Sequence, residues 1–347
     1  MQNFTAERYH RILCPQMPAF LKEFISLDCM QRLEGVGLLC GTDWTPLFHN
    51  GFYYSRLDHS VGAALIVWNF THDKKPTLAA LFHDIATPAF SHVMDFKNGD
   101  ALKQESTEKD TKCIINEDLE LSQRLFKLGI YKHEIDDYHK YPIADNEIPG
   151  LSADRLEYMY PSGAALNKIW TLEEIAENYS HIKVLKNEKG LDELGFDTLE
   201  EAERYTKRFC ATGICVQRNE DKVTMQLMAD ILKEAIALGY IDDADLYRLD
   251  EQMLIAMFED YADTDMDTRF AKLFRTFRSM ERIERSETPL DGCYCVDIEV
   301  KRRYVNPLVL CSDGTAKRAA DLSHSAYKAI CDVLAYRDSK YGCVRYE

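Results

Sequence analysis

The chain has 347 residues, 46% of them apolar, enough to bury a substantial core in one large domain or two smaller ones. Its formal net charge of −16 argues against general nucleic-acid binding, which depends on cations neutralising phosphates. No run of about eighteen uninterrupted apolar residues predicts a membrane span, no basic-then-apolar leader is read at the start, and the eleven cysteines lack paired CxxC spacing, so reduced thiols in a cytoplasmic protein are expected.

In chain order, the segment up to Leu39 reads as short helices, with Gln31-Arg32-Leu33 leading into a Gly-, Thr- and aromatic-rich loop from Cys40 to Tyr54. Helix patterns follow at 58–72, 76–84, 105–128, 148–160 and 171–183. The stretch from Ile182 to Phe196, with Asn187-Glu188-Lys189-Gly190 in its middle, predicts a small hairpin. Helices resume at 198–216, 221–238, 244–261 and 265–282. Alternation over Tyr294 to Val300 predicts a strand, with 305–310 as its partner, and a last helix is expected over 317–337. The fold class is therefore mainly α, with a small β-hairpin insertion and a short C-terminal α+β portion. The division is a core over 1–180 and a helical extension with small β elements over 181–347, packed together as one unit.

Two short segments carry chemistry. One is Arg56-Leu57-Asp58-His59-Ser60-Val61-Gly62; the other is His83-Asp84-Ile85-Ala86-Thr87-Pro88-Ala89-Phe90-Ser91-His92. A lone His59, the His83-Asp84 doublet and a later Asp154 form a ligand set for one divalent ion. Neutral imidazole and carboxylate together bind several transition metals, and four protein ligands leave positions open for water and a phosphate oxygen. Neighbours in mid-helix point about 100° apart, so a doublet aims both side chains at one ion only from a helix end. The apolar helix running into His83, with Pro88 behind it, supplies that end. Arg56 and Arg155 are the cations placed to meet an anionic substrate.

With Arg-x-x-His-Ser-x-Gly, the His-Asp doublet, Pro-x-Phe-Ser-His and Ala153-Asp154-Arg155-Leu156-Glu157-Tyr158 in view, the chain resembles the HD phosphohydrolase superfamily. It is nearest the branch of deoxynucleoside triphosphate triphosphohydrolases. The resemblance implies an HD-domain helical core and one divalent metal ion (Mn, Fe, Mg, Ni, Co or Zn) held by His59, His83, Asp84 and Asp154. It implies phosphate contact from Arg56 and Arg155, and substrate positioning by Tyr158. His92 would lie in the active site, oriented by Asp95. Self-association into a homo-oligomer is likewise implied by the family.

The sequence departs from that branch where its phosphate-side histidines stand. Thr87 replaces the inner one, and Lys103-Gln104-Glu105-Ser106 replaces a His-Glu pair, leaving Glu105 as a third catalytic candidate beside His92 and Asp95. Residues that read the deoxyribose align with Leu38 and Ser162, and a base-stacking Tyr falls near Asn219. The expected activity is thus metal-dependent hydrolysis of a nucleotide or related phosphate ester, with specificity altered from the triphosphohydrolases. The alternative is a catalytically weak or inactive metal-binding regulatory or interaction protein that keeps the HD fold.

Overall fold

The computed structural model describes residues 4–103 and 110–347. Helices dominate, as the periodicity predicts, and two small sheets complete the fold. The helix Arg56–Thr71 starts at Ser55, whose hydroxyl accepts from the Asp58 amide while the Asp58 carboxylate accepts from the Ser55 amide. This reciprocal cap accounts for the acid that precedes His59 in sequence. The helix Lys74–Phe82 packs against it, and the helix Ala153–Ala165 crosses it from the other side.

Helix boundaries move by a few residues from their predicted positions, and three predicted helices are divided. The pattern over 105–128 is cut at Asp118, whose side chain caps Leu119–Leu128 after Asp110–Glu117 ends. The pattern over 244–261 becomes Asp245–Arg248 and Glu251–Thr264, restarted by the Asp250 cap. The last becomes Ala319–Leu322 and His324–Ala335, restarted by Ser323. In each case a short side-chain acceptor offers the backbone a fresh start that apolar spacing alone does not reveal.

The seven strands are β1 (Ile182–Lys186), β2 (Asp192–Phe196), β3 (Glu284–Ser286), β4 (Cys293–Val296), β5 (Leu308–Leu310), β6 (Ala316–Arg318) and β7 (Tyr341–Arg345). The predicted hairpin is present: β1 pairs antiparallel with β2, with Ile182 opposite Phe196. The second pairing differs from expectation. β4 pairs with β7, and β5 joins β2 in parallel and β6 in antiparallel. The intervening 297–307 segment is drawn away to line a cavity, so a local hairpin there does not form. Gly195 permits the parallel pairing, because a Cβ at that position would sit 2.6 Å from the Leu308 carbonyl oxygen.

Two apolar cores result, and they interleave along the chain. The first gathers the helices around His59 and His83 and also takes in Ile182, Phe196, Tyr205 and Phe209. The second is built on Asn219–Ala237, Glu251–Thr264 and Arg269–Ser279, yet it includes Ala89, Phe90, Val93, Met94 and Phe96. Each core draws residues from both sides of residue 180. The turn between the His-Asp doublet and His92 leaves one core and enters the other.

Glu251 fastens that crossing. Its buried carboxylate accepts from the Gly37 amide (2.9 Å), the Phe90 amide (3.0 Å) and the Trp44 indole (2.7 Å). Burial pushes its pKa up to about 7 against these three donors. Phe90 and Ser91 both adopt left-handed backbone, with φ of 62° and 52°, a strained arrangement that persists only where surroundings enforce it.

Candidate metal centre

His83 and Asp84 follow Phe82, the last residue of their helix, so the doublet stands at a helix end. Arg32 donates to the Ile85 carbonyl at 2.9 Å and pins the turn. The Nε2 atoms of His59 and His83 lie 3.1 Å apart, and Asp154 Oδ1 lies 3.1 Å from the first and 3.6 Å from the second. Asp84 Oδ2 is 3.6 Å from both nitrogens. Ligand atoms about 2.1 Å from one ion are separated by roughly 3.0 Å at right angles and roughly 3.4 Å at the tetrahedral angle. The donor set therefore fits one transition-metal ion, with His59, His83 and Asp154 the tightest triangle.

Both imidazoles are held with Nε2 facing inward. His83 Nδ1 donates to the Ala80 carbonyl at 2.7 Å, and His59 Nδ1 donates to Glu157 at 2.5 Å. Such outer partners fix the tautomer and make the inner nitrogen a better ligand. Glu157 is fully buried, and its other oxygen accepts from Tyr54 at 2.5 Å. Burial disfavours charge on His59, but Glu157 and Asp154 outweigh it and carry the imidazole up to about 10. Asp84 and Asp154 are held well below the ordinary carboxylate range despite burial, Asp84 chiefly by Arg56 and the two imidazoles and Asp154 by the two imidazoles.

Gly62 makes room for this arrangement. A Cβ there would lie 2.3 Å from Glu157 Oε1 and 2.8 Å from its Cγ and Cδ. Gly62→Ala is expected to displace Glu157, destabilise the fold by about 1–3 kcal/mol as overpacking does, and weaken metal binding. Melting temperature and metal titration read both effects.

The cluster opens on a cavity of about 190 Å³, also lined by Leu38, Arg56, His92, Tyr158, Ser162, Asp221, Lys301 and Arg303. A larger one of about 680 Å³ shares Tyr138, Asp154, Tyr158, Lys301 and Arg303 with it. Arg56 lies on this wall, but its guanidinium binds Asp84 (2.8 Å) and the Ser91 hydroxyl (3.0 Å). Thr87, at the place of the missing inner histidine, donates to the other Asp84 oxygen at 3.0 Å. Both residues therefore aim the doublet's acid.

His92 Nδ1 meets Asp95 Oδ2 at 2.9 Å, and Asp95 is buried. Burial, with Arg56 and Arg303 nearby, lowers the His92 pKa although Asp95 opposes the shift. Tyr158 packs edge-on to His59 and carries the Arg303 guanidinium 5.7 Å from its ring centre. His139 is exposed beside Asp137, as expected of a solvated face. Glu105 and Gln104 lie outside the described residues.

Arg155 lines the larger cavity and is held by the turn that precedes its helix. It donates to the Gly150 carbonyl (2.9 Å) and to Asn146, and it pairs with Asp145 at 3.1 Å. The turn over 145–150 consumes its donors, and the cations on the metal-side cavity are Arg56, Lys301 and Arg303. Asn219 is also committed elsewhere, since its amide donates to Ser339. Sequence reasoning missed Glu157, Arg303, Lys301 and Asp221. Only Glu157 left a local signal, standing one helical turn after Asp154 on the same face.

No protein-family model matches the chain. The metal-dependent phosphohydrolase cns2 of Cordyceps militaris is 24% identical over 276 residues, covering 78% of this chain and 74% of its own. The protein YdhJ of Bacillus subtilis, of uncharacterised function, is 25% identical over 248 residues, covering 67% and 69%. Among solved structures, a phosphohydrolase from Bacteroides thetaiotaomicron superposes with a TM-score of 0.65 at 14% identity, over 96% of this chain and 97% of its own. A hypothetical protein from Aquifex aeolicus gives 0.62 at 18%, over 95% and 92%.

The chain is similar to metal-dependent phosphohydrolases. The fold likeness covers 96% of the chain, so it extends through both apolar cores rather than stopping at the metal-bearing helices. Nothing in it singles out the triphosphohydrolase branch. No helix among the described residues of this phosphohydrolase-like chain is long and apolar enough to cross a membrane.

Proposed function

We propose that the chain hydrolyses a phosphate ester of a small molecule, a nucleotide or a close relative, with one divalent ion held by His59, His83, Asp84 and Asp154. The observation that carries this reading is the triangle of His59, His83 and Asp154, with both tautomers fixed from behind, opening on a cavity that three cations line. Two imidazole donors favour Mn, Fe, Co, Ni or Zn over Mg, which prefers oxygen ligands. When bound, such an ion supplies Lewis-acid polarisation of a phosphoryl oxygen and acidifies water.

The chain's own groups do the rest. Lys301 and Arg303 attract and orient the phosphate, Arg56 keeps Asp84 ionised and aimed, and neutral His92, steadied by Asp95, takes or returns a proton at Nε2. The wider reading is a cytoplasmic homo-oligomer that takes small substrates and leaves nucleic acid aside, in keeping with its charge of −16. The decisive experiment screens the purified protein against nucleotides and p-nitrophenyl phosphate with each metal. Turnover that Asp84→Ala abolishes supports the proposal. Bound metal without turnover on any ester supports the regulatory alternative, for which Thr87 in place of a titratable group is the specific observation.

Leu38 and Ser162 both line the cavity, and neither has the reach of a longer polar side chain toward a sugar hydroxyl. Discrimination between ATP and dATP is therefore expected to be small. A preference on the order of a hundredfold in a competition assay, the size that a dedicated hydroxyl contact confers, would show that another group reads the sugar.

A further inference from the structure

The cavity beside the metal triangle contains one acid that the proposed chemistry leaves unused. Asp221 stands in the first turn of Asn219–Ala237 and lines the cavity together with Ser162, Thr212 and Met225. No hydrogen bond joins its carboxylate to any described residue, and no described Lys, Arg or His nitrogen lies within ion-pairing distance. Almost every other enclosed acid near the site has a partner: Asp84 has Arg56, Asp95 has His92, Asp145 has Arg155, and Glu157 has His59 and Tyr54. Burial pushes Asp221 up to about 7, with Arg303 and Lys222 only partly offsetting it. Asp221 is half-buried and faces the cavity without a protein donor, which a bound ligand can supply.

We propose that Asp221 reads a part of the substrate other than its phosphate by accepting hydrogen bonds from N–H groups of an amino-bearing ring. This rests on the phosphate-ester reading above and deepens it. With the phosphate drawn to the metal triangle, Arg303 and Lys301, the remainder of the molecule meets two spaces, the larger cavity that shares Asp154 and Tyr158 and the rest of this one. There the other lining groups are apolar or short hydroxyls: Leu38, Met225, Val300, Ser162 and Thr212. Asp221 is the one full charge on that lining that is neither cationic nor in the metal set. A carboxylate has two acceptor oxygens and no donor, so it suits an amino group with an adjacent ring N–H and leaves a ring lacking both without reward. The substrate class is thus a nucleotide whose base presents N–H donors, in preference to an isosteric one that does not.

The test uses the whole protein and matched probes. Binding of guanosine, adenosine and purine-riboside 5′-monophosphates is measured by calorimetry, and turnover of the same three compounds and of p-nitrophenyl phosphate is followed with metal added. The wild type is expected to bind at least one amino-bearing nucleotide about tenfold or more tightly than purine-riboside monophosphate. In Asp221→Leu that ratio falls toward one, and Asp221→Asn, which keeps volume and adds a donor, shifts it toward bases that present an acceptor. A ratio that survives Asp221→Leu in a protein of unchanged melting temperature overturns the proposal, as does wild-type binding that ignores the base or fails for all three. If preference is present but no ester turns over with any metal, the hydrolase reading fails while Asp221 keeps its role. If turnover is present without preference, the reverse holds.

Discussion

Asp154→Ala is expected to purify folded, with metal content near zero per chain and turnover lower by about a thousandfold or more. The estimate follows from removing a ligand whose oxygen lies 3.1 and 3.6 Å from the two imidazole nitrogens. Lewis-acid catalysis supplies several kcal/mol, and each 1.4 kcal/mol is about tenfold in rate. Glu157→Gln touches no ion, so it should weaken binding by only about 10–100-fold, the usual cost of a lost outer partner. The same acids give a pH dependence of known sign. Glu157 and Asp154 raise the pKa of His59 to about 10, so uptake of an ion in the neutral range is expected to expel a proton from it. Affinity then rises with pH through the neutral range, by up to about tenfold per unit. Titrations in buffers of different ionisation enthalpy will show the released proton, and pH-independent affinity would mean that His59 is already neutral. Unchanged metal content in Asp154→Ala would displace the ion from this triangle altogether.

His92→Ala is expected to keep metal and melting temperature but lose activity by about 10²–10⁴-fold, the range for a positioned acid or base. Its ring is the one imidazole among the described residues that lines the cavity outside the metal set, and Asp95 fixes its Nδ1 side. Because burial lowers its pKa from the ordinary imidazole value of about 6.5, it is neutral near pH 7 and gains its proton only as pH falls below that value. The acid limb of kcat/KM should therefore lie below about 6.5 and vanish in the variant. Joint loss of metal and activity would make His92 a ligand. Full retained turnover would leave the proton transfer to another group.

The clustering of the candidate ligands was legible because the chemistry is local: a doublet must stand at a helix end, and a capped helix start presents His59 beside it. The β1–β2 hairpin was legible for the same reason, two short runs around a Gly-bearing turn. What escaped depends on distance in the chain. Arg303 and Asp221 meet the site only after 297–307 is drawn in from the strand pairing expected of it, and after the second core seats Asn219–Ala237 against the turn that carries Phe90. Glu157 left in sequence only its spacing of one turn from Asp154, and the gap at Gly62 shows that it points inward. Adjacency to Asp154 says nothing of direction, because neighbours on a helix diverge by about 100°, and the bonds of Arg155 to the turn over 145–150 were not legible in sequence.

The Glu251 carboxylate gives the two cores different kinds of authority over the site. The metal triangle stands within the first core, whereas the left-handed turn that delivers Ser91 and His92 is held by an acid rooted in the second. A library of random core lesions would accordingly sort into two phenotypes. Damage around Leu65, Phe82 or Leu156 would give proteins that no longer hold the ion. Damage around Phe258, Phe270 or Phe274, remote from it in sequence, would give proteins that still hold it but whose proton-handling turn has come loose.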